Sequence, residues 1–384
     1  MNNFIVSCEN DQELVDLTRL ARKLNENNFR VCFFDLAPML GITASTSIDF
    51  DFYCSIYKSL GCGRKFKSLS ALPKLLIAIL NAIKLIYIYY KSGARFVLIG
   101  TPLLVYRLAR IITFGHLKTV SVIRGVVAHS EEATSLSSKL FIKFGRLARS
   151  KLFRSLFSDY YSSLVLCTGG VTRNFLLSRG VPVENIKVTG SIYCDSLAEG
   201  AGGKGGGTEK RLIVFISSAF AFHGYDDAQS AQSALIKKIR NFSDEIGVDF
   251  VVRKHPRESL SFYVEDAGLS GCLGNRDCDP LVGYPENTLF ISTVSTLIFE
   301  MAYVGRSTCF IADDFFTIRF SSWYHAVGVT PVINWESVIT EYSKIGFLRS
   351  GQELSGVLSV EFKGGVLDRC VREIFLKFGV SDAE

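Results

Sequence analysis

Short, unbroken apolar runs alternate along this chain with longer segments whose apolar residues recur every third or fourth position. NFIVSC near the N-terminus predicts a strand, and residues 11–25 follow with Leu14, Leu17, Leu20, Ala21 and Leu24 at helical spacing. FRVCFFDL is a second apolar run; ARFVLIG, LKTVSVI and SLVLCTG follow, each leading into a helical stretch. Unbroken Val/Ile/Leu/Phe runs separated by helices predict a parallel sheet covered on both faces, because such strands have no solvent side. After GAGGKGGG (Gly200 to Gly207) the alternation restarts with RLIVFISS, a helix over about 226–245, VDFVVRK, NTLFIS, a helix over about 296–304, and STCFIA. VLDRCVREIFLKFG closes the chain as an amphipathic helix.

The expected fold class is α/β, with two doubly wound Rossmann-like domains facing a central cleft. The pattern places an N-terminal domain at 1–190, a Gly-rich linker at 191–210, a second domain at 211–365 and a C-terminal helix at 366–384. No GxGxxG turn joins a strand to a helix, which argues against a dinucleotide oxidoreductase, and no GxxxxGK[ST] loop is present.

Composition adds a compartment and a charge asymmetry. Hydrophobic residues make up 48% and charged ones 21%, the balance of a globular chain. The start, MNNFIVSCENDQELV, lacks a signal-peptide pattern. Ten cysteines are scattered without a CxxC pair, and Cys272 and Cys278 have no second pair for zinc, so reduced thiols in a cytoplasmic protein are expected. The net charge of +6 divides unevenly: residues 1–190 carry 25 Lys/Arg against 12 Asp/Glu, residues 191–384 carry 18 against 25. The first half therefore suits an anionic surface.

Candidate chemistry gathers at three strand ends in the second half: Ser217-Ser218 ending RLIVFISS, His255-Pro256 ending VDFVVRK, and Ser292-Thr293-Val294-Ser295-Thr296 ending TLFIS. A proline keeps the residue before it extended, so His255 cannot begin a helix and belongs to a loop past the strand. In a doubly wound sheet all three ends lie on the carboxyl edge, where ligands bind. Small hydroxyls at a helix start can hold phosphate oxygens, or can simply cap the helix. An imidazole beside them can stabilise or protonate a leaving phosphate near neutral pH. Glu300 lies one helical turn past Thr296, so the two can share a face.

LVLCTGGVTRNFLLSRGVPVENIKVTGS resembles the end of the N-terminal domain in GT-B glycosyltransferases and related sugar epimerases. RKHP and STVST resemble the His-Pro and Ser-Ser/Thr motifs of bacterial sialyltransferases and of Kdo and other ulosonic-acid transferases. The resemblance implies a nucleotide-sugar co-substrate activated by CMP, held by Ser217, Ser218, Lys254, His255, Pro256, Ser292, Thr293, Ser295, Thr296 and Glu300. It implies inverting transfer of an acidic sugar to a glycan or glycolipid, with no metal and no resident cofactor. It equally admits a UDP-sugar enzyme, transferase or 2-epimerase, or a catalytically inert scaffold on the same fold.

The chain departs from those families where an acidic pair before a glycine would supply the general base: here the sequence is VIRGVVAHSEEA, with Arg124 before Gly125. His129, Glu131, Glu132 and Asp35 are the substitutes. His223 is placed either to touch substrate or in an ordinary loop, and His116 and His325 are expected to be structural.

Two basic or apolar segments bear on partners. In residues 72–91 the polar positions Lys74, Asn81, Lys84 and Lys91 fall on one stripe, predicting a core helix ahead of one docked on a bilayer. Residues 139–157 (KLFIKFGRLARSKLFRSLF) carry six cations and no acid among Leu and Phe, as an interfacial helix on anionic lipid would. Attachment to the inner face of the plasma membrane is the expectation, and nucleic acid is not an expected partner.

Overall fold

The computed structural model describes residues 2–8, 11–40, 54–60, 71–100, 102–124, 161–195, 211–221, 224–255, 258, 284–285, 287–345 and 365–379. These divide into two compact units. The first holds the described residues up to 124, those from 161 to 193 and those from 365 to 379; the second holds those from 194 to 345.

The first unit is built on β1 (Asn2–Ser7), α1 (Asp11–Glu26), β2 (Phe29–Asp35), α2 (Ala37–Leu40), β3 (Cys54–Lys58), α3 (Ala71–Ser92), β4 (Ala94–Ile99), α4 (Leu104–Ile112), β5 (Thr119–Val122), β6 (Leu164–Cys167), α5 (Gly170–Ser178) and β7 (Ile186–Val188). Its seven strands run parallel in the order β3-β2-β1-β4-β5-β6-β7, with the strand order reversing between β1 and β4. Alternating side chains feed two cores, as the pleat requires. Phe4, Val6, Phe96 and Leu98 pack under α1, whose Leu14, Leu17, Leu20, Ala21 and Leu24 are all buried as the spacing predicts. Ile5, Val97 and Ile99 pack on the other face under α3 and α4. β3 was not visible as an apolar run, because it is an edge strand of mixed burial with Ile56 turned outward.

Helix α3 corrects its expectation. Asn81, one of the four polar positions of the stripe, is buried and ties Leu60 down through both backbone groups, at 2.7 and 2.9 Å. Its neighbours Ala78, Ala82, Leu85, Ile88 and Tyr89 face the core, while an apolar face opposite them is exposed.

The second unit comprises β8 (Leu212–Ile216), α6 (Asp226–Glu245), β9 (Asp249–Arg253), β10 (Thr288–Ser292), α7 (Leu297–Tyr303), β11 (Ser307–Phe310), α8 (Asp314–Arg319), α9 (Ser321–Val327) and α10 (Trp335–Ile345). The four parallel strands lie in the order β11-β10-β8-β9, so this strand order reverses between β8 and β10.

The chain ends in α11 (Val366–Phe378), which packs in the first unit, not the second. Val366, Cys370, Val371, Ile374 and Phe375 join the core beneath α1, and Phe375 stacks on Phe29 at 5.6 Å. The apolar stripe predicted the helix; nothing in it specified which core would receive it.

Candidate functional site

Open parallel sheets bind ligands outside the carboxyl ends of their strands where the strand order reverses, because neighbouring crossovers there leave on opposite faces and open a crevice. In the second unit that point lies between β8 and β10. Register brings the predicted residues to one edge: Ile216 pairs with Arg253 and Ile291 with Phe215. Ser217-Ser218, Lys254-His255 and Ser292-Thr293 therefore leave three adjacent strands side by side. Adjacent strands are about 4.8 Å apart, so the three ends span about 10 Å.

The hydroxyls divide into two classes. Ser292 is buried, donates to the Ile216 carbonyl at 2.6 Å and accepts from the Ser295 N–H at 3.2 Å, so it fastens β10 to β8 and shapes its own loop. Ser217 accepts from the His255 N–H at 2.8 Å and lies against the Glu258 carboxylate and the Arg253 carbonyl. Both hydroxyls work inside the protein. Ser218 Oγ and Thr293 Oγ1 differ: both atoms are buried and neither has a hydrogen-bond partner among the described residues. Leaving a buried hydroxyl unpaired costs about 1–3 kcal/mol. Two of them flank the point of strand reversal.

Lys254 is also turned inward. It is buried, and its ammonium donates to the carbonyls of His255, at 3.1 Å, and Glu258. The cation expected to meet a phosphate instead closes the loop that carries the histidine. Thr296 stands before α7 without a side-chain capping bond. That helix is a short one of seven residues. Glu300 is buried on it.

Sequence reasoning missed the residues that hold this edge in place. Gln229 and Gln232, one turn apart on α6, are both buried. Gln232 clamps Ser218 through both backbone groups, accepting from its N–H at 2.9 Å and donating to its carbonyl at 3.1 Å. Gln229 accepts from the Ala221 N–H at 3.1 Å and donates to Glu258 at 3.0 Å. Glu258 also accepts from the His255 N–H at 2.8 Å. Tyr324 donates to the Thr293 carbonyl at 2.8 Å, and burial raises its phenol above the ordinary value. The one available signal was a Gln-x-x-Gln pair among Ala228, Leu235, Ile236 and Ile239, polar groups on a buried arc. Buried amides of that kind have to find partners.

In the first unit, Asp35 ends β2 nearly buried, its carbonyl accepting from the Ser59 N–H at 2.8 Å. Arg124 pairs with buried Asp16 of α1 at 3.4 Å and lies 4.0 Å over the Tyr193 ring. His129, Glu131, Glu132, His223 and Pro256 lie outside the described residues, as do the linker glycines and residues 139–157. Among the described residues no group of three His, Cys, Asp or Glu is placed to hold a metal ion. Seven described cysteines are free thiols, and burial pushes Cys54, Cys167 and Cys309 up to about 12.

No family model and no curated protein matches this sequence. Solved structures do match its fold along almost the whole chain. A UDP-GlcNAc 2-epimerase from Methanocaldococcus jannaschii is 13% identical with a TM-score of 0.58, covering 98% of this chain and 100% of its own. The Neisseria meningitidis UDP-GlcNAc 2-epimerase bound to UDP-GlcNAc is 12% identical with a TM-score of 0.56, covering 98% and 100%. A glycosyltransferase from Rickettsia africae is 10% identical with a TM-score of 0.52, covering 99% of each chain. At these identities the likeness establishes architecture: an α/β fold of the GT-B type, with two Rossmann-like domains.

Proposed function

We propose that this protein is a nucleotide-sugar enzyme whose second unit binds the nucleotide phosphates at the β8/β10 strand ends. The observation that carries the reading is the pair of buried hydroxyls, Ser218 Oγ and Thr293 Oγ1, that have no partner among the described residues, beside His255 at the point of strand reversal. Phosphate oxygens accept hydrogen bonds from such hydroxyls and would remove the cost of leaving them unpaired. In sugar transfer the bond from the anomeric carbon to the phosphate oxygen breaks while a bond to the acceptor oxygen forms. The charge left on the nucleotide is then held by these donors and by His255, and the acceptor proton passes to a base. A UDP-activated sugar, in a transferase or a 2-epimerase, is the preferred substrate class, supported by structural neighbours that include an enzyme bound to UDP-GlcNAc.

A CMP-activated acidic sugar is the second reading, favoured by RKHP and STVST, with a glycan or glycolipid as acceptor. The six cations in residues 139–157 support peripheral attachment to the inner face of an anionic membrane in either case.

Thermal denaturation of the full chain with UDP, UDP-GlcNAc, CMP and GDP decides between them. A ligand at a hundredfold excess over its Kd stabilises by about 2.7 kcal/mol. Greatest stabilisation by UDP or UDP-GlcNAc supports the first reading and by CMP the second. No stabilisation by any nucleotide removes both.

A further inference from the structure

The exposed face of α3 is the largest unexplained feature of the first unit. The helix runs 22 residues, about 33 Å. Its core side is filled by Ala78, Ala82, Leu85 and Tyr89. On the opposite side Leu72, Leu75, Leu76, Leu80, Ile83, Tyr87 and Tyr90 are exposed, from 40% for Leu75 to 76% for Leu72. At 100° per residue these seven fall within an arc of about 140°, with only Ile79 and Ile86 between them. No charged or amide side chain interrupts the arc. From Leu76 the steps to Leu80, Ile83, Tyr87 and Tyr90 are four, three, four and three, the spacing of a helix-pairing seam.

We propose that this face is the contact by which the chain pairs with a second copy of itself, α3 against α3. The seven side chains expose on the order of 700 Å², above the roughly 300–600 Å² of the largest apolar patch on a typical monomer. It is close to the about 800 Å² that each partner buries in a standard interface. A two-fold contact needs one self-complementary surface, and a single helix face provides it. Antiparallel pairing centred on Ile83 places Tyr90 over Leu76 of the second copy and Tyr87 over its Ile79 and Leu80. Lys84 and Lys91 border the arc on one side.

The same cations argue for a protein partner over lipid. Lys84 donates to the Lys58 carbonyl at 2.7 Å, and the Lys91 ammonium sits 5.4 Å from the centre of the Tyr87 ring. Both are folded back on the protein, whereas an interfacial helix directs its cations at headgroups.

Sedimentation equilibrium of the full chain is expected to give a dimer at micromolar concentration. Ile83→Arg is expected to weaken dimerisation by at least about tenfold, since it places a charge in the buried centre. Its melting temperature, read where the wild type is monomeric, should be unchanged, because Ile83 is half-exposed there. Ile83→Cys tests the geometry without a disruptive charge: oxidation should cross-link it into a covalent dimer. Leu376→Cys, more exposed than position 83 and on α11 of the same unit, should not cross-link. A wild-type chain that stays monomeric overturns the proposal, as does a dimer that survives Ile83→Arg or cross-linking no better at 83 than at 376. So does a monomer whose binding to phosphatidylcholine–phosphatidylglycerol vesicles is abolished by Ile83→Arg, which assigns the face to lipid.

Discussion

The Glu258 carboxylate and the His255 backbone N–H lie 2.8 Å apart, so the histidine is held by an acid three residues beyond it. The same carboxylate takes hydrogen bonds from Ser217 and Gln229, and the Glu258 N–H returns one to the His255 carbonyl at 3.0 Å. These bonds close a tight turn at the end of β9 and anchor it to β8 and α6. The imidazole is thereby fixed from its backbone side.

Glu258→Ala should therefore act through His255. Removing one partner from a buried network costs about 1–3 kcal/mol. Nucleotide affinity is expected to fall by about 10- to 100-fold, the scale of that loss at 1.4 kcal/mol per decade. Glu258→Gln keeps one acceptor oxygen and should recover part of the affinity. Calorimetric titration of both variants checks this; equal losses in the two would show that the carboxylate's charge, and not its hydrogen bonding, matters.

In the proposed reaction His255 acts on the leaving phosphate. His255→Ala should lower turnover by about 10²- to 10⁴-fold. Its side chain is not part of the core, so the melting temperature should barely move. Turnover within a few-fold of wild type would remove the imidazole from the chemistry.

Ser218 and Thr293 give a prediction in which stability and binding move in opposite directions. Their hydroxyls are buried without partners among the described residues, so Thr293→Val, which keeps the shape and deletes the oxygen, relieves a desolvation penalty. The unliganded protein is expected to be as stable as wild type or more so, by up to about 1–3 kcal/mol. Nucleotide affinity should fall about tenfold for this variant and further for the pair with Ser218→Ala. Loss of stability in unliganded Thr293→Val would mean that the hydroxyl already has a partner.

How much of this was legible in the sequence depends on the kind of interaction. Strands such as RLIVFISS and NTLFIS were readable because a parallel strand is buried on both faces and carries no polar positions to blur the run. The three strand ends followed, since parallel register brings Ser217, Lys254 and Ser292 to one edge. Which groups remain for a ligand was not readable. Ser217 and Ser218 are adjacent and alike, yet one hydroxyl is spent on Glu258 and the other is not; that depends on a carboxylate arriving from 41 residues away. Asn81 read as one of four polar residues on a helix stripe, and only the position of Leu60 makes it a buried tie.

The buried thiols predict how stability depends on pH. Cys54, Cys167 and Cys309 are raised to about 12 in the folded protein from an ordinary 9, first by burial. In the unfolded chain these thiols lose their protons as pH passes 9, while the folded protein keeps them until about 12. Between those values the native state binds more protons than the unfolded state. Stability must therefore fall as pH rises, because its slope follows protons bound in the unfolded state minus those bound in the native state. Urea denaturation at pH 8, 9.5 and 10.5 should show a declining midpoint, and Cys167→Ala or Cys309→Ala should each make the decline shallower. At pH 8 the same thiols should resist iodoacetamide until urea unfolds the chain, since the thiolate is the reactive form. Rapid alkylation of Cys167 or Cys309 in the native protein would contradict both the burial and the shift.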